Sequence, residues 1–106
     1  MEFEKSTIHD LKQAVKYSDH STVSTMIIKK QTGNITLFAF DTGQSLSEHS
    51  APFDAFVTIT EGRGRIIINQ TNYDLSQGEF IIMPANIPHA VQAVEKFKMM
   101  LVMIKE

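Results

Sequence analysis

Residues 78–93 read Gly78-Glu79-Phe80-Ile81-Ile82-Met83-Pro84-Ala85-Asn86-Ile87-Pro88-His89-Ala90-Val91-Gln92-Ala93. An apolar run from Glu79 to Met83 follows the turn signal Ser76-Gln77-Gly78 and stops at Pro84, which has no amide proton for a sheet ladder. Pro88 closes the short loop, and a second β-rich run starts at His89. The reading is strand, tight loop, strand, with a histidine at the start of the returning strand.

Working outward, short β-rich runs recur at Val23–Ile28, Ile35–Phe40, Phe53–Ile59, Arg65–Ile68, His89–Val94 and Phe97–Ile104. Between them lie Thr32-Gly33-Asn34, Asp41-Thr42-Gly43, Glu61-Gly62-Arg63-Gly64 and Asn69 to Asn72, read as turns between antiparallel strands. No long helical pattern supplies the crossover that parallel strands need, so a sandwich or barrel is expected. Gly62-Arg63-Gly64 lacks the third glycine and the following helix of a nucleotide-binding loop. Only the first twenty residues look helical, for one or two turns: Thr7 and Asp10 resemble a capping box, with Ile8, Leu11 and Val15 at helical spacing. The expected organisation is an N-terminal segment, 1–21, and one β domain, 22–106.

An upstream stretch joins the first. In Gly43-Gln44-Ser45-Leu46-Ser47-Glu48-His49-Ser50-Ala51-Pro52-Phe53-Asp54-Ala55-Phe56-Val57-Thr58-Ile59-Thr60-Glu61-Gly62, the residues Gly43, His49 and Gly62 fall in register with the first motif of the cupin superfamily. Gly78, Pro84 and His89 match the second, with Asn86 replacing its glycine, a substitution a left-handed position accepts. Two motifs in the right order resemble a small single-domain cupin of the conserved-barrel type over roughly residues 35 to 104. The resemblance implies an all-β fold, the double-stranded β-helix or jelly-roll barrel, here with a short N-terminal helical segment.

It also implies a ligand set of two histidines and a glutamate from the first motif and a histidine from the second. His49 and His89 are retained, whereas Ala51 holds the second histidine position and Ala55 the glutamate position. Strand alternation then puts small apolar side chains where ligands would stand. Two imidazoles make a weak site, because zinc normally takes three or four protein ligands and non-haem iron two histidines and a carboxylate. By alternation Glu48 and Asp54 point away from His49 and Ala55 unless a bulge intervenes. His49 and His89 are therefore candidate ligands of an incomplete divalent-metal site for Zn, Fe, Ni or Mn, with no cofactor assigned. His49, Ala51, Ala55, Met83 and His89 are candidate small-molecule contacts. His9 and His20 are expected at the surface.

Composition narrows the classes. The 106 residues hold 10 basic and 12 acidic side chains, a net charge of −2, which gives no reason to expect a nucleic-acid partner. No apolar run is long enough to span a bilayer, and Met1-Glu2-Phe3-Glu4-Lys5 is unlike a secretory signal, so a cytoplasmic protein without a membrane partner is expected. With no cysteine, disulfides, thiolate nucleophiles and Cys-ligated zinc are excluded together. The final strand is apolar on both faces, since Met99, Leu101 and Met103 alternate with Met100, Val102 and Ile104. A domain this small buries a modest share of its surface, and a homodimer using Val23–Ile28 and the final strand is expected.

Two functions fit. One is a small-molecule-binding barrel with an apolar pocket and two inward histidines. The other is a small enzyme of isomerase or oxygenase type using a weakly held divalent metal. No nucleophile, base and orienting group stand at a recognisable catalytic spacing.

Overall fold

The computed structural model describes residues 3–105. Its strands are β1 (Thr22–Lys30), β2 (Gly33–Phe40), β3 (Ser45–His49), β4 (Ala55–Ile68), β5 (Thr71–Ser76), β6 (Phe80–Met83), β7 (His89–Gln92) and β8 (Phe97–Ile104). All pairings are antiparallel, in the order β1-β2-β8-β4-β7-β3, with β5 and β6 also paired to β4. The expected jelly-roll barrel is the fold.

The long strand β4 ties the barrel together. Residues 55–62 pair with β6 and β8 in a first sheet, which continues to β2 and β1. Residues 63–68 pair with β5 and β7 in a second, which continues to β3. Ala55, Val57 and Ile59 are buried in the barrel at odd positions, but Ile66 is buried at an even one. The change of parity comes from a bulge between Ile59 and Glu61, where one extra residue enters the ladder against β8.

The Glu61–Gly64 stretch is therefore strand, not the turn its glycines suggest. Both glycines are required by close packing: a Cβ on Gly64 would lie 2.4 Å from Cε2 of Phe97, and one on Gly62, at φ +77°, would lie 2.8 Å from the Lys96 carbonyl oxygen. The true reversal is Asn69-Gln70, with φ of 49° and 67°, the twist-matching left-handed pair of a two-residue hairpin between β4 and β5.

Inside the barrel, Phe40, Val57, Ile59, Ile66, Phe97 and Met99 are almost fully buried, and Phe40 stacks on Phe97 at 4.8 Å between ring centroids. A second cluster lies outside the first sheet, where Leu37 and Ala39 are covered by Val15 of the N-terminal segment. The expected N-terminal helix is not formed. Residues 3–21 contain only turns and bends, with one helix-like bond from the Ala14 amide to the Asp10 carbonyl, 3.0 Å. Asp10, rather than Thr7, caps that turn, its Oδ1 accepting from the Lys12 and Gln13 amides. Ile8 is 99% and Leu11 43% exposed, so of the three spaced residues only Val15 gains burial and a single turn does not propagate.

Candidate site: a histidine pair at the barrel mouth

β3 and β7 are neighbours in the second sheet, and their register sets His49 directly opposite His89. His89 also faces Ile68 of β4, while the neighbouring pair Ile66 and Val91 is buried in the barrel, so His89 belongs to the inward face. His89 is buried and His49 exposed, which puts the pair at a mouth with one ring inside and one at the rim. The inward turn of His49 depends on a bulge between Leu46 and His49, an odd step that regular alternation would not allow between two inward residues.

The rings meet edge to face, with centroids 4.4 Å apart and the two Nε2 atoms separated by 3.2 Å. Nδ1 of His49 lies 2.8 Å from the Ser47 carbonyl oxygen, and Nδ1 of His89 lies 3.3 Å from that of Ile87. A carbonyl only accepts, so in each ring Nδ1 carries the proton and donates it. The two neutral rings then aim Nε2 lone pairs at one another, an arrangement that calls for a proton, a cation or a ligand donor between them. Burial, then the neighbouring His49, lowers the pKa of His89 from its ordinary value, so the unprotonated form of that ring is favoured.

A metal fits this pair only as far as two adjacent ligands. With bonds of about 2.1 Å, nitrogens at that separation subtend roughly 100° at a metal, between the octahedral and tetrahedral angles. No third donor joins them: among the described residues no group of three or more His, Cys, Asp or Glu could hold an ion. Glu48 is exposed, and Asp54 is occupied by the second motif's loop, its Oδ1 accepting from the Ala85 amide at 2.8 Å.

The other candidates divide. Ala55 and Met83 are opposed in the β4–β6 register and buried in the barrel, at 5% and 4% exposure. Ala51 lies in the loop between β3 and β4, so alternation does not run unbroken from His49 to Ala55, and its carbonyl accepts from the Asn86 amide at 2.7 Å. Asn86 takes the left-handed conformation expected of it, φ 64°. The loop of the first motif is thus bonded to the loop of the second. His9 and His20 are exposed. Two open clefts of about 590 and 750 Å³ lie between the N-terminal segment and β1, and neither is lined by His49 or His89.

Sequence reasoning missed a polar cluster on the outside of the first sheet. Tyr17 donates to Glu61 Oε2 at 2.6 Å, and Lys98, 6% exposed, donates to the Lys12 carbonyl at 2.6 Å and lies 3.9 Å from Glu61. Burial, followed by the bond to Glu61 and its charge, raises the Tyr17 pKa well above its ordinary value. These contacts dock the segment; the bulge before Glu61 was the signal for them, and it is invisible in composition.

Known proteins place the chain. Residues 36–105 match the family model described as a cupin domain. A conserved protein of unknown function from Streptococcus pyogenes is 41% identical, over 98% of this chain and 91% of that one, with a TM-score of 0.93. A cupin 2 conserved barrel domain protein from Leptotrichia buccalis is 37% identical with a TM-score of 0.89, over 92% of this chain and 47% of its own. A cupin superfamily protein from Desulfitobacterium hafniense, 22% identical with a TM-score of 0.90 over 97% of this chain and 94% of its own, shares the fold. No curated protein matches. With both motif loops, their bonded contact and the barrel in place, the chain belongs to the cupin family.

Proposed function

We propose that this cupin is a cytoplasmic small-molecule-binding protein, and that its ligand is a compact, largely apolar compound bearing a hydroxyl or comparable proton donor. The observation that carries the reading is the pair of Nε2 atoms of His49 and His89, 3.2 Å apart with both Nδ1 atoms tied to carbonyls. Two acceptors aimed at one point suit a donor shared between them, and the lowered His89 pKa keeps that ring an acceptor at neutral pH. Ala55 and Met83 supply apolar interior surface without competing polar groups. The absence of cysteine suits a reducing compartment.

Carbon-bound ring protons of both histidines are the direct probe, by NMR titration with small phenols and aliphatic alcohols. Binding should shift the His49 and His89 signals together, and His89→Ala should weaken it at least tenfold. Ligands that bind without moving either signal would refute the reading.

The facing lone pairs also favour a second reading, a weakly metal-dependent enzyme in which His49 and His89 hold a divalent ion that supplies Lewis-acid chemistry. Calorimetry with Zn, Fe(II), Ni and Mn separates the two. Micromolar binding lost in His89→Ala supports the metal, and heats no different between parent and variant exclude this pair as its site.

A further inference from the structure

Four polar or charged residues are buried among the described ones: Asn34, Thr36, His89 and Lys98. Lys98 belongs to the contacts that dock the N-terminal segment on the outer face. The other three face the barrel interior. On β2, Asn34 and Thr36 share the parity of Phe38 and Phe40, which pack in the interior cluster, while Leu37 and Ala39 point to the outer one. Across the ladder they stand beside Met103 and Leu101 of β8, which also pack on the interior cluster.

Chain connectivity sets β2 opposite the histidines. β8 and β7 flank β4 in the strand order and are joined by residues 93–96, and β2 and β3, one strand further out on each side, are joined by residues 41–44. The two connections are bonded together, the Gly43 amide donating to the Ala93 carbonyl at 2.7 Å and the Ala93 amide to the Gln44 carbonyl at 2.8 Å. β2 therefore lies across the barrel from β3. Thr36 comes four residues before the end of β2 and His49 four after the start of β3, so the two stand at a similar depth, with Asn34 one inward position nearer the mouth.

The Asn34 side chain is nearly unused. Its oxygen meets the Thr36 hydroxyl at 3.5 Å, the limit of a hydrogen bond, and its nitrogen has no acceptor among the described residues, although Asn34 is only 9% exposed. A buried donor left unmet is costly, and this one faces a chamber whose other wall carries two histidines. We propose that Asn34 is the second polar anchor of the ligand held by His49 and His89, donating to a neutral carbonyl oxygen, so that the ligand is a compact hydroxy ketone, aldehyde or amide. This rests on the histidine reading given above. Packed sheets lie about 10 Å apart and side chains from both walls fill much of that gap, so the hydroxyl and the carbonyl are only a few bonds apart. A carbonyl is favoured over a carboxylate by charge. Among the described residues no cation is buried on the inner face, and Lys29, beside Asn34 in register, is exposed, so a carboxylate would be desolvated against an uncharged amide.

Nitrogen-15 NMR reads the Asn34 side-chain amide directly, alongside the carbon-bound ring protons of His49 and His89. The probes are 3-hydroxyacetophenone, its near-isostere 3-isopropylphenol, which lacks the carbonyl, and 3-hydroxybenzoate. The ketone should shift the Asn34 and histidine signals together and bind about tenfold tighter than the alkylphenol, the usual worth of one hydrogen bond to a donor otherwise unmet. The benzoate should bind weakest. Asn34→Leu, similar in volume, should erase the ketone's advantage without lowering Tm, while the alkylphenol still shifts both histidines. Histidine signals that move with the Asn34 amide unmoved, or a ketone advantage that survives Asn34→Leu, overturn the proposal and leave the histidine reading standing. A benzoate that binds tightest overturns the neutral ligand class. Movement of the Asn34 amide alone refutes the histidine reading and supports Asn34 as a carbonyl site, and probes that move neither refute both.

Discussion

β4 shows two outer faces along one strand. Ahead of its bulge it turns Phe56 outward, between Val102 and Ile82. Beyond the bulge it turns Arg65 outward, between Asp74 and Gln92; the guanidinium holds Asp74 at 2.8 and 3.3 Å and reaches Gln92 Oε1 at 3.5 Å. The inward residues of both halves are alike, Val57 and Ile59 in one and Ile66 in the other, all at 0% or 1% exposure. Closing the barrel demands the inward pattern only. Outward composition is free of that demand, and here it is polar on one sheet and apolar on the other.

The comparison breaks most completely at Phe97, where the two halves meet. It pairs with Gly62, covers Gly64 and stacks on Phe40. Phe97→Ala should cost about 3–5 kcal/mol in urea unfolding, the usual loss for a buried ring. Both sheets should melt in one transition, because each loses the same support. A variant that lost one sheet's amide protection while keeping the other's would show the halves to be independent.

Gly64→Ala is the opposite perturbation at that junction. The added methyl would stand 2.4 Å from a ring that is 0% exposed. Overpacking of about 1–3 kcal/mol is expected, again by urea unfolding, although Gly64 is not among the positive-φ residues. If Gly64→Ala were neutral, the glycine would be a β-turn relic and not a packing requirement.

The smallest effect belongs to the polar face. Arg65 holds the Asp74 carboxyl below its ordinary value, first by hydrogen bonding and then by charge. A depressed folded-state pKa contributes stability that is fully present above the unfolded value and is lost as pH falls through the folded one, so the contribution shrinks progressively below about pH 4. The pair is exposed and screened, so Arg65→Ala should lower Tm slightly at pH 7 and by progressively less as pH falls below about 4, measured at low salt. A larger loss at the acid end would show Arg65 acting through packing.

What could be read beforehand followed the same physics. The β-rich runs of β2 and β8 and the proline-bounded loop each have a local cause, the left-handed Asn86 follows from its place in the second motif, and each is found in place. β5 was not visible, since Thr71, Asn72, Tyr73 and Asp74 are exposed and only Leu75 is buried, leaving its strand character to pairing with β4. β4 looked like two strands because Gly62 and Gly64 serve a ring from β8, a tertiary reason with no local trace. At the site, motif spacing named His49 and His89. Their facing nitrogens come from two bonds to backbone carbonyls and a bulge in β3, and spacing carries neither.

Lys98 gives the docked N-terminal segment a clock. Its amino group is held against the Lys12 carbonyl with 6% of the residue exposed, while lysines such as Lys29 and Lys30 are open to solvent. Acylating reagents should modify those at once and Lys98 only when the segment lifts away. The ratio of the two rates then measures how often the segment lets go, in the intact protein.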